Sequence, residues 1–307
     1  MNKHTIAGLG VILLVGGSIF GYYEYSERYP STDNAYVNAN LINVAPKVGG
    51  YIQKIYVTDN QFVHKGDPLV DIDPQDYNVA LIKAKQDLAL ANQQAATAKA
   101  AIVKAQSDYK LASELATRYT ALYKENAGSL QDMQKYQNQA DAAKQSLHQA
   151  TSQYQASQAQ VGIATTGVTN AQNNNGYTQL SAPADGYISN LYLQNGELVS
   201  SGQKLFGLVD NANWWIDVNF KETQLKRIKV GQPAEIELDM YNHKYKGVVQ
   251  SISYASGSTF SLLPAQNATG NWVKVTQRFT VRVKVENSAE YPLRVGASSK
   301  VTVDTTK

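Results

Sequence analysis

Cysteine is absent from the 307-residue chain. That excludes a disulfide framework, a thiol nucleophile, an iron–sulfur cluster and a thiolate zinc site. Histidine is scarce: His4, His64, His148 and His243 stand far apart and form no HExxH or HxH pair, so no metal site is expected. Charge is sparse at 17% of residues and nearly balanced, with 28 Lys plus Arg against 25 Asp plus Glu, a net of +3. A nucleic-acid partner is not expected, because such proteins carry a strong basic excess. With so little catalytic chemistry on offer, the composition points away from an enzyme and toward a scaffold or binding part. The chain exceeds what one hydrophobic core usually covers, so several domains are expected.

Charge is missing altogether from one stretch. Thr5–Tyr23 holds 19 uncharged residues, Lys3 precedes it, and Glu24 and Glu27 follow. As a helix it spans about 28 Å at 1.5 Å per residue, against a hydrocarbon core of about 30 Å. The flanking charge puts the N-terminus in the cytoplasm and the remainder outside. No A-x-A cleavage site follows, so an uncleaved single-pass anchor is expected rather than a signal peptide.

What the chain does have is an internal repeat. Asn43-VAPKVGGYIQKIYVTDNQFVHKGDPLVDID and Leu180-SAPADGYISNLYLQNGELVSSGQKLFGLVD share Ala-Pro, Gly-Tyr-Ile, a turn, a valine and a glycine. Gly50 and Gly66 are 16 apart, as are Gly186 and Gly202; Val63 matches Val199 and Leu69 matches Leu205. Apolar residues alternate within each copy, the pattern of half-buried strands. Each copy is too small to bury its own face, so the two are expected to pack into one small β-sandwich. Between them, residues 74–172 are rich in Ala and Gln and lack proline after Pro74, with Asp73 as the expected cap. One apolar seam runs from Tyr77 to Tyr123 and a second from Met133 to Ala171, both alternating three- and four-residue steps, the coiled-coil period. Residues 125–128 interrupt it as the tip, and so short a link makes the helices antiparallel.

The last third holds all three tryptophans and reads as strands at Trp214–Phe220, Ala234–Leu238, Tyr245–Tyr254, Trp272–Val285 and Ser299–Val303. A small β-barrel or sandwich is expected, with Thr32–Ile42 available as another strand. In an alternating strand, Trp214 and Trp215 place one ring inward and one outward. The fold class is therefore α+β: an N-terminal transmembrane helix, a split β-sandwich interrupted by a long helical hairpin, and a C-terminal barrel. The expected boundaries are 1–24 stub and anchor, 25–42 linker and barrel-associated strand, 43–73 first sandwich half, 74–172 hairpin, 173–210 second half and 211–307 barrel.

This order resembles the periplasmic adaptors, or membrane fusion proteins, of bacterial efflux pumps, in the EmrA type of the HlyD family. The residues that carry the resemblance are Thr32-DNAYVNA, Ala45-PKVGGYI, Phe220-KETQLKRIKVGQPAEIELD and Phe260-SLLPAQNATGNWVKVTQR. It implies that the sandwich is lipoyl-like. It also implies an inner-membrane transporter of the proton-coupled major-facilitator kind, an outer-membrane channel similar to TolC, and a homo-oligomeric ring. The role implied is drug export and antibiotic resistance from the periplasmic side of the inner membrane. An adaptor for protein secretion, or a coiled-coil envelope spacer, stays open as an alternative.

Adaptors that dock such channels resemble R-x3-L-x6-S at the hairpin tip, and Arg118, Leu122 and Ser129 have that spacing. Leu111 and Leu115 share their helix face, about 100° from the seam, so an exposed apolar stripe is expected there. Ser129 with Asp132 also fits a capping box. Phe260, Leu262 and Leu263 form an apolar group in a Gly/Ser/Asn-rich loop, either a core plug or a contact for transporter or membrane. No cofactor is expected: Lys65 and Lys204 lie away from the tight hairpin that a biotinyl or lipoyl lysine needs. Asp71, Asp73 and Asp76 lack the rest of a calcium loop, and a strand end plus helix start accounts for them. Asn267-Ala-Thr is a sequon by coincidence.

Overall fold

The computed structural model describes residues 21, 23–241, 243–260 and 275–306. The Thr5–Tyr23 run lies outside the described residues except at 21 and 23, and so do Leu262 and Leu263. Among the described residues no helix is long and apolar enough to cross a membrane.

Twelve strands are described. In chain order they are β1 (Ser31–Val44), β2 (Gly50–Ile55), β3 (Phe62–Val63), β4 (Pro68–Ile72), β5 (Gln179–Ser181), β6 (Gly186–Ser189), β7 (Leu198–Val199) and β8 (Phe206–Lys221). Then come β9 (Pro233–Leu238), β10 (Lys244–Ser256), β11 (Arg278–Val285) and β12 (Ser298–Val303). Two long helices, α1 (Gln75–Lys124) and α2 (Leu130–Gly176), separate β4 from β5.

The two repeat copies exchange strands about a pseudo-twofold relation. Gly50 pairs with Val199, and its equivalent Gly186 pairs with Val63. The loop bonds repeat the symmetry: Ile52 N–H donates to Glu197 and Ile188 N–H to Gln61, while Gly202 N–H donates to Pro46 and Gly66 N–H to Ala182. Neither copy has a core alone. Together they bury Ile52, Val63, Leu69 and Ile72 against Ile188, Val199, Leu205 and Leu208. Gly186 is required because a β-carbon there would land on the Val209 carbonyl.

Six strands close into an antiparallel barrel in the order β1-β12-β9-β10-β11-β8, since β1 pairs with both β12 and β8. Closure removes the exposed edges that an open sheet would present. Alternation along each strand fills the interior with Val37, Ile216, Val218, Phe220, Ile236, Val281, Val283 and Val301, all buried. At Gly247 a β-carbon would come within 2.6 Å of the Val283 side chain, so that interior is full. β8 begins eight residues before the expected Trp214 because it runs on into the sandwich, pairing with β6 and with Leu41–Val44 of β1. The expected Trp272–Val285 strand is described only from Arg278.

The molecule is thus built in series. Barrel strands lead into the sandwich, and the hairpin leaves the sandwich at its far side through β4 and β5. At 1.5 Å per residue a helix of the length of α1 extends about 75 Å.

Candidate functional site

The hairpin follows from its seams. Every seam residue from Tyr77 to Tyr119 and from Met133 to Ala171 is buried or half-buried, and the seam continues to Asn175 and Thr178, so α2 runs to Gly176 rather than ending near 172. Small residues let the helices approach: the fully buried positions of α1 are Ala91, Ala95, Ala98 and Ala116. At the base, the Asp73 carboxylate accepts from Gln75 N–H at 3.0 Å, and Pro74 sits at the cap position itself. Near the tip the alanine pattern gives way to Tyr119 stacked on Tyr136, ring centroids 4.0 Å apart.

Two local motifs hold the tip. Helix α1 ends with Asn126 in the left-handed region (φ 56), Ala127 N–H bonded to the Leu122 carbonyl at 2.9 Å and Asn126 N–H to Tyr123 at 3.0 Å. This is a Schellman closure with asparagine where glycine is commoner. Helix α2 starts at Ser129, whose Oγ accepts from Asp132 N–H at 3.0 Å and donates to Asp132 Oδ2 at 2.7 Å. The hydroxyl proton is therefore held by its own cap, and one lone pair remains for a partner.

The expected stripe of Leu111, Leu115, Arg118 and Leu122 is split. Leu111 (61% exposed) and Arg118 face solvent, whereas Leu115 and Leu122 are half-buried. Leu115 and Leu122 immediately precede the seam residues Ala116 and Tyr123, at the flank of the coiled coil, where long side chains lean over the seam. Leu122 also packs on Gly128, where an added β-carbon would sit 3.3 Å from its own. Sequence reasoning missed the crown: Tyr123 is 38% exposed and Leu130 47% exposed, side by side in sequence with the turn. The signal was there. Tyr123 is the last seam residue of α1, and beyond it α2 supplies only the capping serine.

At the other end of the molecule, the rim where β8 ends and β11 begins gathers four segments. They are the helical residues 23–28, the 3-10 helix Glu222–Arg227, the chain from 304 onward, and the 3-10 helix Gly257–Phe260. Glu27 pairs with Arg227 at 3.1 Å, Thr305 bonds the Arg28 carbonyl, and Glu222 N–H donates to Gln277 at 2.9 Å. Phe260 therefore starts its loop from the rim where the N-terminal segment arrives; its side chain and those of Leu262 and Leu263 lie outside the described residues.

The groups weighed for chemistry are engaged structurally. Asp71 accepts from the Tyr56 hydroxyl at 2.6 Å, and that bond raises the Tyr56 pKa above its ordinary value. Asp73 caps α1. Lys65 lies in a sandwich loop, its backbone N–H bonded to Asp185 at 2.7 Å. Trp214 is buried in the barrel. Trp215 faces outward but is covered: Arg282 lies 4.5 Å above its ring, and Asp217 accepts from Trp215, Arg282 and Asn38. Among the described residues no group of three or more His, Cys, Asp or Glu side chains is placed to hold a metal.

Known proteins share this arrangement. Residues 40–211 match the family described as RND MFP, barrel-sandwich hybrid domain, and residues 213–304 match the AAEA-like beta-barrel domain. The multidrug export protein EmrA of Escherichia coli K12 is 36% identical over 91% of this chain and 77% of its own. The fatty acid resistance protein FarA of Neisseria gonorrhoeae is 35% identical over 89% of this chain and 75% of its own. The crystal structure of MacA from Actinobacillus actinomycetemcomitans superposes with a TM-score of 0.66 at 24% identity, over 89% of this chain and 79% of that one. The family match spans over half of the residues and EmrA is alike across nearly all of them, so the chain belongs to the membrane fusion proteins, the periplasmic adaptors of bacterial efflux systems.

Proposed function

We propose that this adaptor joins an inner-membrane exporter of the major-facilitator kind to a TolC-like outer-membrane channel, for export of drugs and other xenobiotics. The observation that carries this reading is the rod. A hairpin with helices of about 75 Å by the helical rise has no role within its own chain and suits a reach between two bodies. Multidrug export and fatty acid resistance, in the names of EmrA and FarA, favour small amphipathic cargo over the alternative of protein secretion.

In this reading Thr5–Tyr23 spans the inner membrane with a cytoplasmic N-terminus, and all that follows is periplasmic. The chain supplies no chemistry; energy comes from the exporter, and several copies ring a sealed path. The tip docks through Arg118 and Leu111, with Leu115 and Leu122 as the apolar flank beneath them. An exposed arginine beside apolar residues is the kind of side chain that dominates interfaces. Ser129 fixes the start of α2 and offers its remaining lone pair. Phe260, Leu262 and Leu263 are the segment offered for contact with the transporter.

The test is efflux in a strain that relies on this adaptor. Arg118→Asp is expected to abolish resistance while the purified protein keeps its melting temperature. Full resistance from that variant would refute tip docking through Arg118.

A further inference from the structure

We propose that the barrel rim at Lys221–Gln232 is a seat for an anionic bilayer surface, separate from the membrane span itself. This rests on the reading that Thr5–Tyr23 crosses the membrane. The argument starts from a charge asymmetry between the two ends of the barrel. The loops nearest the sandwich, residues 239–243 and 286–297, hold Asp239, Glu286 and Glu290 against one arginine, Arg294. The loop at the opposite rim, residues 222–232, holds Lys226, Arg227 and Lys229 against Glu222, and Lys221 adjoins it.

Pairing sharpens the contrast. Two acids of the arriving helical residues, Glu24 and Glu27, are taken by Arg28 at 2.9 Å and Arg227 at 3.1 Å, which leaves Asp33 at the start of β1 and Glu222 as exposed acids of this rim. Asp304 accepts from the Thr306 hydroxyl and N–H. Lys221, Lys226 and Lys229 make no ion pair among the described residues, and all three are exposed.

Apolar and aromatic groups stand among these cations. Val230 is exposed at the turn directly after Lys229, and Tyr254, two residues before the end of β10, is fully exposed. Tyr23 and Tyr25 are exposed on the helical residues that reach this rim, and Tyr23 lines a groove with Lys226. Tyrosine rings settle at the headgroup level of either membrane face, and lysines beside them are drawn to whatever anionic lipid that face carries, an attraction that decays with salt. The location supplies the occupant, because the uncharged run Thr5–Tyr23 ends on this rim. A single span leaves the body free to tilt. A second contact sets the barrel upright, so that a rod of about 75 Å is aimed away from the membrane.

The absence of cysteine makes the test clean. The full chain carrying one introduced cysteine, Tyr254→Cys or, as a reference, Leu111→Cys, is labelled with an environment-sensitive fluorophore. It is then reconstituted into vesicles whose lipids carry a headgroup quencher. In mixed phosphatidylglycerol–phosphatidylcholine vesicles the label at 254 is expected to be quenched and that at 111 not. Quenching at 254 should fall to the reference level in phosphatidylcholine alone, in high salt, and in K221E/K226E/K229E. Salt acts because surface attraction decays within about 10 Å at 0.1 M. Quenching at 254 equal to that at 111, or indifferent to lipid charge, overturns the proposal. Shielding of the label only when the transporter is co-reconstituted overturns it in favour of a protein contact. Flotation of the same vesicles keeps the two readings apart. A chain that fails to float refutes the anchor, whereas one that floats unquenched refutes the rim alone.

Discussion

The hairpin and the barrel are stabilised in different ways by the same chain. The barrel encloses a filled interior: Phe220, Ile216, Val218 and Ile236 show no exposed surface. The hairpin is two helices thick, and α2 contains no fully buried residue along its length. Contacts in the barrel join residues far apart in sequence, so it folds as one cooperative unit. The rod is close to one-dimensional, each layer resting on its neighbours, so its stability is local. The difference suits the proposed role, in which the barrel stands alone near the membrane and a rod with half-buried seams gains from neighbours and partners that cover it.

Substitutions should break the two regions differently, and the largest effect belongs to the barrel. Phe220→Ala empties the centre of the core and is expected to cost about 3–5 kcal/mol. The loss should appear as a lower melting temperature of the barrel tryptophan signal. In the rod, Ala95→Leu overfills a closely packed layer and is expected to cost about 1–3 kcal/mol. Hydrogen exchange should show faster opening around that layer, with barrel protection unchanged. If barrel amides weakened equally, the rod would not be an independent unit.

Smaller effects sharpen the comparison at the tip. Ser129→Ala removes both hydroxyl bonds of the cap and is expected to cost about 1 kcal/mol, seen as fraying of the first turn of α2 by amide exchange. Ser129→Asn should restore most of it, since its amide oxygen accepts from Asp132 N–H and its amide nitrogen can donate to the Asp132 carboxylate. Tyr119→Leu keeps an apolar seam residue but loses the stack on Tyr136, for about 0.5–1.5 kcal/mol. A global melting shift from either variant would contradict the local character of the rod.

Much of this was legible in the residues. The repeat spacing was enough to expect one sandwich from two halves, because Gly50, Val63, Gly186 and Val199 occupy equivalent places; the cross-pairing that joins them needed coordinates. The seams were readable because alanine and tyrosine recur with unbroken three- and four-residue steps. The flank was harder. Helical spacing puts Leu111, Leu115, Arg118 and Leu122 on one face, yet Leu115 and Leu122 lie beside the seam and lean over it. A face is wider than a seam, and periodicity alone does not say which edge is covered. The continuity of β8 across both bodies was invisible as well, since the Asp210-Asn-Ala-Asn stretch reads as a loop; it lies at the register shift between the Leu41–Val209 and Ala39–Trp214 pairs, and β8 is held by β1 on either side of it.

The central claim is that the tip of the rod meets an outer-membrane channel, and in-cell photo-crosslinking tests it most directly. Tyr123 is the position to use, because it is exposed at the crown and benzoylphenylalanine keeps its aromatic ring. The account predicts a crosslink to an outer-membrane channel, identified by mass spectrometry, that disappears when Arg118→Asp is added. Capture of only other copies of this chain would contradict it and point to a rod that ends against itself.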